Sequence, residues 1–151
     1  FQGVVKMRLL GAGVSQCAKE LDSRANIEVF DPGVPREELR RHYHDAAVFI
    51  MPSRYESFGM VLAEAMACGA AAVTTPTGFG YELEDRREVL RVPFGSPEAL
   101  IEAVGRLIED EPLRRSIADN GYRRVQGLTW ESAGKQMEAF LQWIRAQGRK
   151  L

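Results

Sequence analysis

Residues 46–75, AAVFIMPSRYESFGMVLAEAMACGAAAVTT, contain the pattern that decides the fold. The apolar run at 46–51 is typical of a parallel strand that is buried on both faces. Residues 58–68 have the composition of a helix, and Gly69 stands where a glycine commonly follows the last turn. A second apolar run at 71–75 predicts another strand, and residues 76–80 are predicted as the loop after it. A strand, a helix and a strand in succession predict a right-handed βαβ unit of a parallel sheet.

The alternation of strands and helices continues on both sides of this stretch. Upstream of it we predict strands at 4–10 and 27–30, and helices from Ser15 to about Arg24 and from Pro35. Downstream we predict a short strand at 88–92 and helices that begin at Ser96-Pro97-Glu98, near Pro112 and near Thr129. This order predicts an α/β fold, with helices on both faces of a parallel sheet. Ligands of such sheets bind beyond the carboxyl ends of the strands.

Composition excludes several classes of protein. The 151 residues are 45% apolar, which is enough for one domain with its own core. The 20 basic and 21 acidic side chains nearly cancel, so a dedicated nucleic-acid binder is not expected. Without a signal peptide or a membrane-length apolar run, a cytoplasmic location is expected. Phe1-Gln2-Gly3 matches the remnant of a protease-cleavable tag, so the predicted domain is 4–151.

The segment from Pro52 to Glu64 has the features that a nucleotide sugar requires of a protein. It runs from a strand into a helix, whose first amides and positive dipole suit a diphosphate. Gly59 permits close approach of a ligand to the backbone. Glu56 and Glu64 offer carboxylate oxygens to the hydroxyls of a sugar and a ribose. Glu56 is expected in the loop and Glu64 about two turns along the helix, so that about 12 Å of axis separates them.

The stretches Pro52–Glu56 and Glu64–Gly69 resemble the signature of the group 1 glycosyltransferases, in which two glutamates with seven residues between them flank Phe-Gly. Segments at 36–39, 93–100 and 129–131 are similar to the family as well. The resemblance implies a Rossmann-like three-layer parallel sheet that forms one half of a GT-B enzyme. It identifies residues 4–151 as the C-terminal, donor-binding domain, without the N-terminal acceptor domain.

The resemblance also implies roles for individual residues. Glu56 is the catalytic candidate, because its family counterpart contacts donor-sugar hydroxyls and stabilises an oxocarbenium-like transition state. The implied donor-binding residues are Ser57, Phe58, Gly59 and Met60 around the sugar and diphosphate, Glu64 at the ribose, and Val34 at the nucleobase. Transfer is expected to retain the anomeric configuration and to need no metal or other cofactor. The fragment is expected to be inactive alone.

Two departures from the family pattern affect the donor site. The basic pair that the family uses on the diphosphate belongs to a segment upstream of Val4. Gly78-Phe79 stands where the family often has Gly-Gly. These departures leave the nucleobase, the sugar and the acceptor undetermined.

Other interpretations of the sequence stay open. Gly11-Ala12-Gly13, with Asp31 after the next strand, partly matches a nicotinamide dinucleotide fingerprint and so allows an oxidoreductase, although Gln16 replaces the third glycine. A non-catalytic nucleotide-sugar-binding module is a second alternative. The pairs Arg114-Arg115 and Arg123-Arg124 leave open a peripheral contact of the full-length protein with an anionic membrane.

The last predicted helix carries a wide apolar stripe, formed by Trp130, Met137, Phe140, Leu141 and Ile144. Three arrangements are compatible with it. The helix packs onto its own domain through Trp130 and Phe140, or pairs with a second copy through Trp143 and Ile144, or has its stripe fully covered within one chain.

Overall fold

The computed structural model describes residues 6–10, 26–30 and 33–148, which belong to two compact units, Phe1–Arg41 and His42–Leu151. In the first unit, strands β1 (Met7–Leu10) and β2 (Ile27–Phe30) pair in parallel, with Met7 opposite Ile27. Parallel pairing requires a crossover connection. The helix predicted from Ser15 to Arg24 and the tag-like residues 1–3 lie outside the described residues.

The second unit is built on a three-stranded parallel sheet. Its strands are β3 (Val48–Met51), β4 (Ala71–Thr74) and β5 (Leu90–Arg91), in the spatial order β3-β4-β5. Helix α1 (Arg36–Asp45) precedes β3, and α2 (Met60–Ala67) connects β3 to β4. The remaining helices are α3 (Phe79–Glu82), α4 (Pro97–Glu109), α5 (Glu111–Val125) and α6 (Trp130–Ala146).

Two hydrophobic cores lie on the two faces of this sheet. Successive side chains of β4 point to opposite faces of the sheet. Ala72 therefore packs in the first core, while Ala71 and Val73 pack in the second. The first core contains residues of α2, α3 and the end of α5: Leu62, Ala63, Met66, Phe79 and Val125. The second contains residues of α4 and the middle of α5: Ala103, Leu107 and Ile117. The predicted α/β fold with helices on both faces of a parallel sheet is confirmed.

Side-chain caps fix the starts of the last three long helices, as the sequence predicts. Ser96 Oγ accepts a hydrogen bond from the Ala99 amide at 3.4 Å, and Pro97 follows in the first turn of α4. Asp110 caps α5 and Thr129 caps α6 in the same way. Each cap satisfies an amide that the helix itself leaves unpaired.

Three sequence predictions about element position are wrong. The strand buried on both faces is β4 rather than β3, because β3 pairs on one side only in this sheet and its first three residues are half-buried. Helix α2 begins at Met60 rather than Phe58, since Gly59 adopts a left-handed conformation. Residues 76–80, predicted as a loop, include the start of the short helix α3.

The arginine pairs make contacts within the second unit. Arg114 donates to the Leu107 carbonyl at 2.7 Å, and Arg115 pairs with Glu111 one turn earlier on α5. The Arg124 guanidinium lies 5.6 Å from the centre of the Phe79 ring. These contacts give three of the four arginines a structural role, and the membrane contact stays an untested prediction.

The apolar stripe of α6 is not covered. Trp130 is 94% exposed and Phe140 is 53% exposed, so the predicted packing through these two residues is not found. No residue of α6 is buried, so the described residues do not cover the stripe fully. Pairing with a second copy stays untested.

In the part of the chain that the structure describes, no helix is long and apolar enough to cross a membrane.

We predict opposite stability effects for two Gly→Ala substitutions in helices. A Cβ at Gly121 on α5 would lie 3.0 Å from Met66 Cε and 3.1 Å from the Glu88 carbonyl oxygen, whereas Gly134 on α6 has no neighbour within 4 Å. Gly134→Ala should stabilise the protein by about 0.5–1 kcal/mol, because alanine favours the helix. Gly121→Ala should destabilise it, because backbone beside β5 must move. Urea unfolding of both variants tests this, and equal stabilisation would contradict the packing.

Candidate functional site

The loop after β3 carries Glu56 in a fixed position at the carboxyl end of the sheet. Ser53 Oγ donates a hydrogen bond to Glu56 Oε1 at 2.8 Å. The Ser53 carbonyl in turn accepts a hydrogen bond from Thr75 Oγ1, beyond the end of β4, at 2.5 Å. The predicted catalytic carboxylate is half-buried and is held by the neighbouring strand end.

The start of α2 is free of side-chain caps. Gly59 precedes the helix with φ 88° and ψ 52°, no side chain caps it, and its first turn contains no acidic residue. The left-handed conformation suits glycine, and a Cβ there would lie 3.2 Å from Met51 Cε. An uncapped helix start presents unpaired amides and the positive end of the dipole, a combination that binds anions.

The loop after β4 fits tightly against the loop that carries Glu56. The Phe79 amide donates to the Phe58 carbonyl at 2.6 Å, and the two rings stack with centroids 5.2 Å apart. A Cβ at Gly78 would lie 2.5 Å from the Phe58 carbonyl oxygen and 3.0 Å from Glu56 Cβ. Only glycine fits there, so the first position of the family's Gly-Gly pair keeps the residue that it needs.

Phe79, which replaces the second glycine of that pair, is 1% exposed and belongs to the first core. Its side chain therefore packs inward beneath Phe58. The departure from the family pattern adds to the core and leaves the Glu56 loop supported by an aromatic stack.

Glu64 lies on α2 near the buried Tyr43 of α1. The helix begins only at Met60, so the two glutamates are not joined by continuous helix and the predicted axial separation does not apply. From Met60 to Glu64 the helix rises about 6 Å. Burial and, second, the charge of Glu64 raise the pKa of Tyr43 to about 12. A hydrogen bond between Tyr43 and Glu64 acts in the same direction, so the two side chains are neighbours.

The structure brings most of the predicted site residues together around the start of α2. Glu56 and Glu64 are half-buried, Gly59 is buried, and Ser57, Phe58 and Met60 are exposed. Val34 is half-buried in the first unit, so its predicted contact with the nucleobase stays a prediction. Among the described residues no group of three or more His, Cys, Asp or Glu side chains is arranged to hold a metal ion.

Ser53, Thr75 and Tyr43 contact the proposed site residues, although the sequence alone predicts no role for them there. Ser53 offers one signal, because it lies only three residues before Glu56 in the same loop. The proximity of Tyr43 to Glu64 depends on tertiary packing. Gly11-Ala12-Gly13, which suggested a dinucleotide site, lies outside the described residues.

Comparison with known proteins identifies the family. The sequence model for glycosyl transferases group 1 matches residues 6–124. The chain belongs to the group 1 glycosyltransferases. The D-inositol 3-phosphate glycosyltransferase of Corynebacterium urealyticum is 32% identical over 125 residues, which are 82% of this chain and 29% of that protein. This glycosyltransferase chain spans less than a third of the length of such relatives. The resemblance that the motif indicated is confirmed.

Solved structures of other proteins superpose well on this one. Sucrose-phosphate synthase of Thermosynechococcus elongatus matches with a TM-score of 0.78 at 27% identity, over 94% of this chain and 39% of that one. The C-terminal domain of the group 1 protein LpcC from Francisella tularensis matches with a TM-score of 0.66 at 26% identity, over 75% and 58% of the two chains. HepE of Anabaena, solved with UDP and glucose, matches with a TM-score of 0.76 at 22% identity, over 91% of this chain and 40% of that one. This match shows that the two chains share the fold.

We predict that Glu64→Gln lowers the pKa of Tyr43 below its value of about 12, because the substitution removes the negative charge that is the second cause of the shift. The pKa should stay above the usual 10.0, since burial, the largest cause, remains. An absorbance titration at alkaline pH follows formation of phenolate. The part of the titration curve that is missing in Tyr43→Phe belongs to Tyr43.

The raised pKa also has a consequence for stability. Below pH 10 the phenol is protonated in the folded and unfolded states alike, and between pH 10 and about 12 the unfolded phenol ionises first. The wild type should therefore lose stability relative to Tyr43→Phe as the pH rises through this window. An unchanged Tyr43 titration in Glu64→Gln would show that the two side chains are not neighbours.

Proposed function

We propose that this chain is the donor-binding domain of a retaining glycosyltransferase and binds a nucleoside-diphosphate sugar at the start of α2. One observation carries the proposal: an uncapped helix start, introduced by the left-handed Gly59, lies in the chain between two half-buried carboxylates, Glu56 and Glu64. An anion and two hydroxyl-bearing rings are the ligand groups that this arrangement complements.

In this proposal the diphosphate binds the amides of Phe58, Gly59 and Met60, with Ser57 beside them. Glu64 accepts hydrogen bonds from the ribose hydroxyls. Tyr43 lies beside Glu64, whose charge helps to raise the pKa of the phenol. Glu56 accepts hydrogen bonds from the hydroxyls of the sugar, and Val34 contacts the base.

The proposed reaction retains the anomeric configuration. The bond from the anomeric carbon to the diphosphate oxygen breaks, and a bond to the acceptor hydroxyl oxygen forms on the same face of the sugar. The departing phosphate takes the proton of the acceptor hydroxyl. Glu56 stabilises the positive charge that develops on the sugar, because a fixed carboxylate in a half-buried site interacts strongly with such charge. We propose that no metal ion takes part.

The acceptor belongs to the rest of the proposed enzyme. This chain spans less than a third of its curated relatives, and we propose that an N-terminal domain binds the acceptor and closes over the donor. The HepE complexes with UDP-glucose make that compound the first donor to test.

Substitution of the two glutamates should separate their roles. We expect Glu64→Ala to weaken binding of UDP and UDP-glucose alike, and Glu56→Ala to reduce turnover while UDP affinity is kept. Each loss removes a hydrogen bond to a charged group, worth about 1.5–3 kcal/mol or roughly ten- to 150-fold.

Calorimetry and a transfer assay on the complete protein measure these effects. Glu102→Ala on α4 is a matched control, because this glutamate is exposed and belongs to neither loop of the site. Wild-type donor affinity and turnover in both variants would refute the assignment.

The isolated chain should bind UDP weakly and transfer no sugar, because water still reaches an open half-site. A transfer assay with purified 4–151 tests this, and turnover by that fragment would show that it is not half an enzyme. UDP-glucose binding without any turnover by the complete protein would instead favour the non-catalytic binding module.

A further inference from the structure

Among the described residues, Ser53 donates a hydrogen bond to an oxygen of the proposed catalytic carboxylate, Glu56. Ser53 Oγ donates to Glu56 Oε1 at 2.8 Å. A serine hydroxyl has a single proton, so this bond uses its whole donor capacity. We infer that Ser53 is a positioning residue for Glu56: it occupies Oε1 and turns Oε2 toward the donor sugar. This inference rests on the proposed function of Glu56.

Thr75 anchors Ser53 from the neighbouring strand. Its hydroxyl donates to the Ser53 carbonyl at 2.5 Å, and its side chain is 1% exposed. The Thr75 proton is used in that bond, so Thr77 is the donor in the 3.4 Å contact between the two threonine hydroxyls. The hydrogen bond to the buried Thr75 hydroxyl therefore fixes the backbone at Ser53, and with it the position from which the Ser53 side chain extends.

Two glycines flank the stem of the half-buried Glu56 side chain. A Cβ at Gly78 would lie 3.0 Å from Glu56 Cβ, and one at Gly59 would lie 3.8 Å from Glu56 Cγ. The stem of the side chain therefore runs between two glycine backbones, and the Ser53 hydroxyl sets the rotation of the carboxylate at its end. In the proposed reaction Glu56 stabilises positive charge that develops on the donor sugar. A carboxylate whose rotation is fixed before the donor binds is more effective at this than a mobile one.

A purely structural serine would have a different signature. Loss of a loop-stabilising bond would disturb Gly59 and Met60 as well, and so would weaken UDP binding together with turnover. Loss of a positioning bond should reduce turnover and leave the diphosphate site intact. Comparing the loss of turnover with the loss of UDP affinity therefore distinguishes a positioning role of Ser53 from a structural one.

The test uses the complete protein, with UDP-glucose as donor in the transfer assay and UDP in calorimetry. Ser53→Ala should lower kcat about tenfold, as expected for loss of one hydrogen bond to a charged group, with UDP affinity within about twofold of the wild type. Ser53→Thr keeps the hydroxyl and should restore most of the activity. Ser116→Ala removes an exposed hydroxyl on α5 and controls for the substitution itself.

Thr75→Val gives a second, independent measurement. It removes the anchor while keeping the volume of the side chain, and should lower kcat less than Ser53→Ala does. The double variant should be no slower than Ser53→Ala alone, because Thr75 acts through Ser53.

Several outcomes would overturn the inference. Ser53→Ala with wild-type kcat, in a protein where Glu56→Gln is impaired, would remove the role of Ser53 and leave the proposed function standing. A loss of UDP affinity equal to the loss of kcat would make Ser53 a structural residue. If Glu56→Gln itself kept wild-type turnover, the proposed function of Glu56 and the inference would both fail.

Discussion

The site depends on a hydrogen-bonded junction between the ends of β3 and β4. Thr74 Oγ1 donates to the Met51 carbonyl at 3.0 Å, and Thr75 Oγ1 donates to the Ser53 carbonyl. These threonines are the buried polar side chains of the described residues. A buried hydroxyl without a hydrogen-bond partner destabilises the folded protein by about 1–3 kcal/mol. The two threonine hydroxyls therefore favour the geometry in which the ends of β3 and β4 are held together. The loop that carries Glu56 therefore leaves the sheet from a fixed point.

Recognition of the proposed donor relies on backbone more than on side chains. The second loop, at Gly78 and Phe79, contacts the Phe58 carbonyl so closely that a Cβ at Gly78 has no space. Gly59 then starts α2 without a capping side chain, which leaves its first amides to a ligand. The Glu56 carboxylate has the hydroxyl of Ser53, three residues earlier in the same loop, as its neighbour, and Glu64 has the hydroxyl of Tyr43 on α1.

Local sequence signals predicted the features that depend on local physics. The helix starts at Ser96 and Thr129 follow from capping residues, and the βαβ order follows from apolar runs. The start of α2 was misplaced because Gly59 adopts a left-handed conformation, which the composition of residues 58–68 does not indicate. The bond from Thr75 to Ser53 joins residues 22 apart in sequence, so no local pattern indicates it. The family signature indicated the proposed site, while the contacts of Thr75 with Ser53 and of Tyr43 with Glu64 depend on tertiary packing.

We propose that a nucleoside diphosphate binds at the start of α2, between Glu56 and Glu64. NMR of the backbone amides of the chain during addition of UDP reports binding at each residue. We expect the largest shifts at the amides of Phe58, Gly59 and Met60, while α6 is unaffected. Saturating shifts elsewhere, with these three amides unchanged, would contradict it.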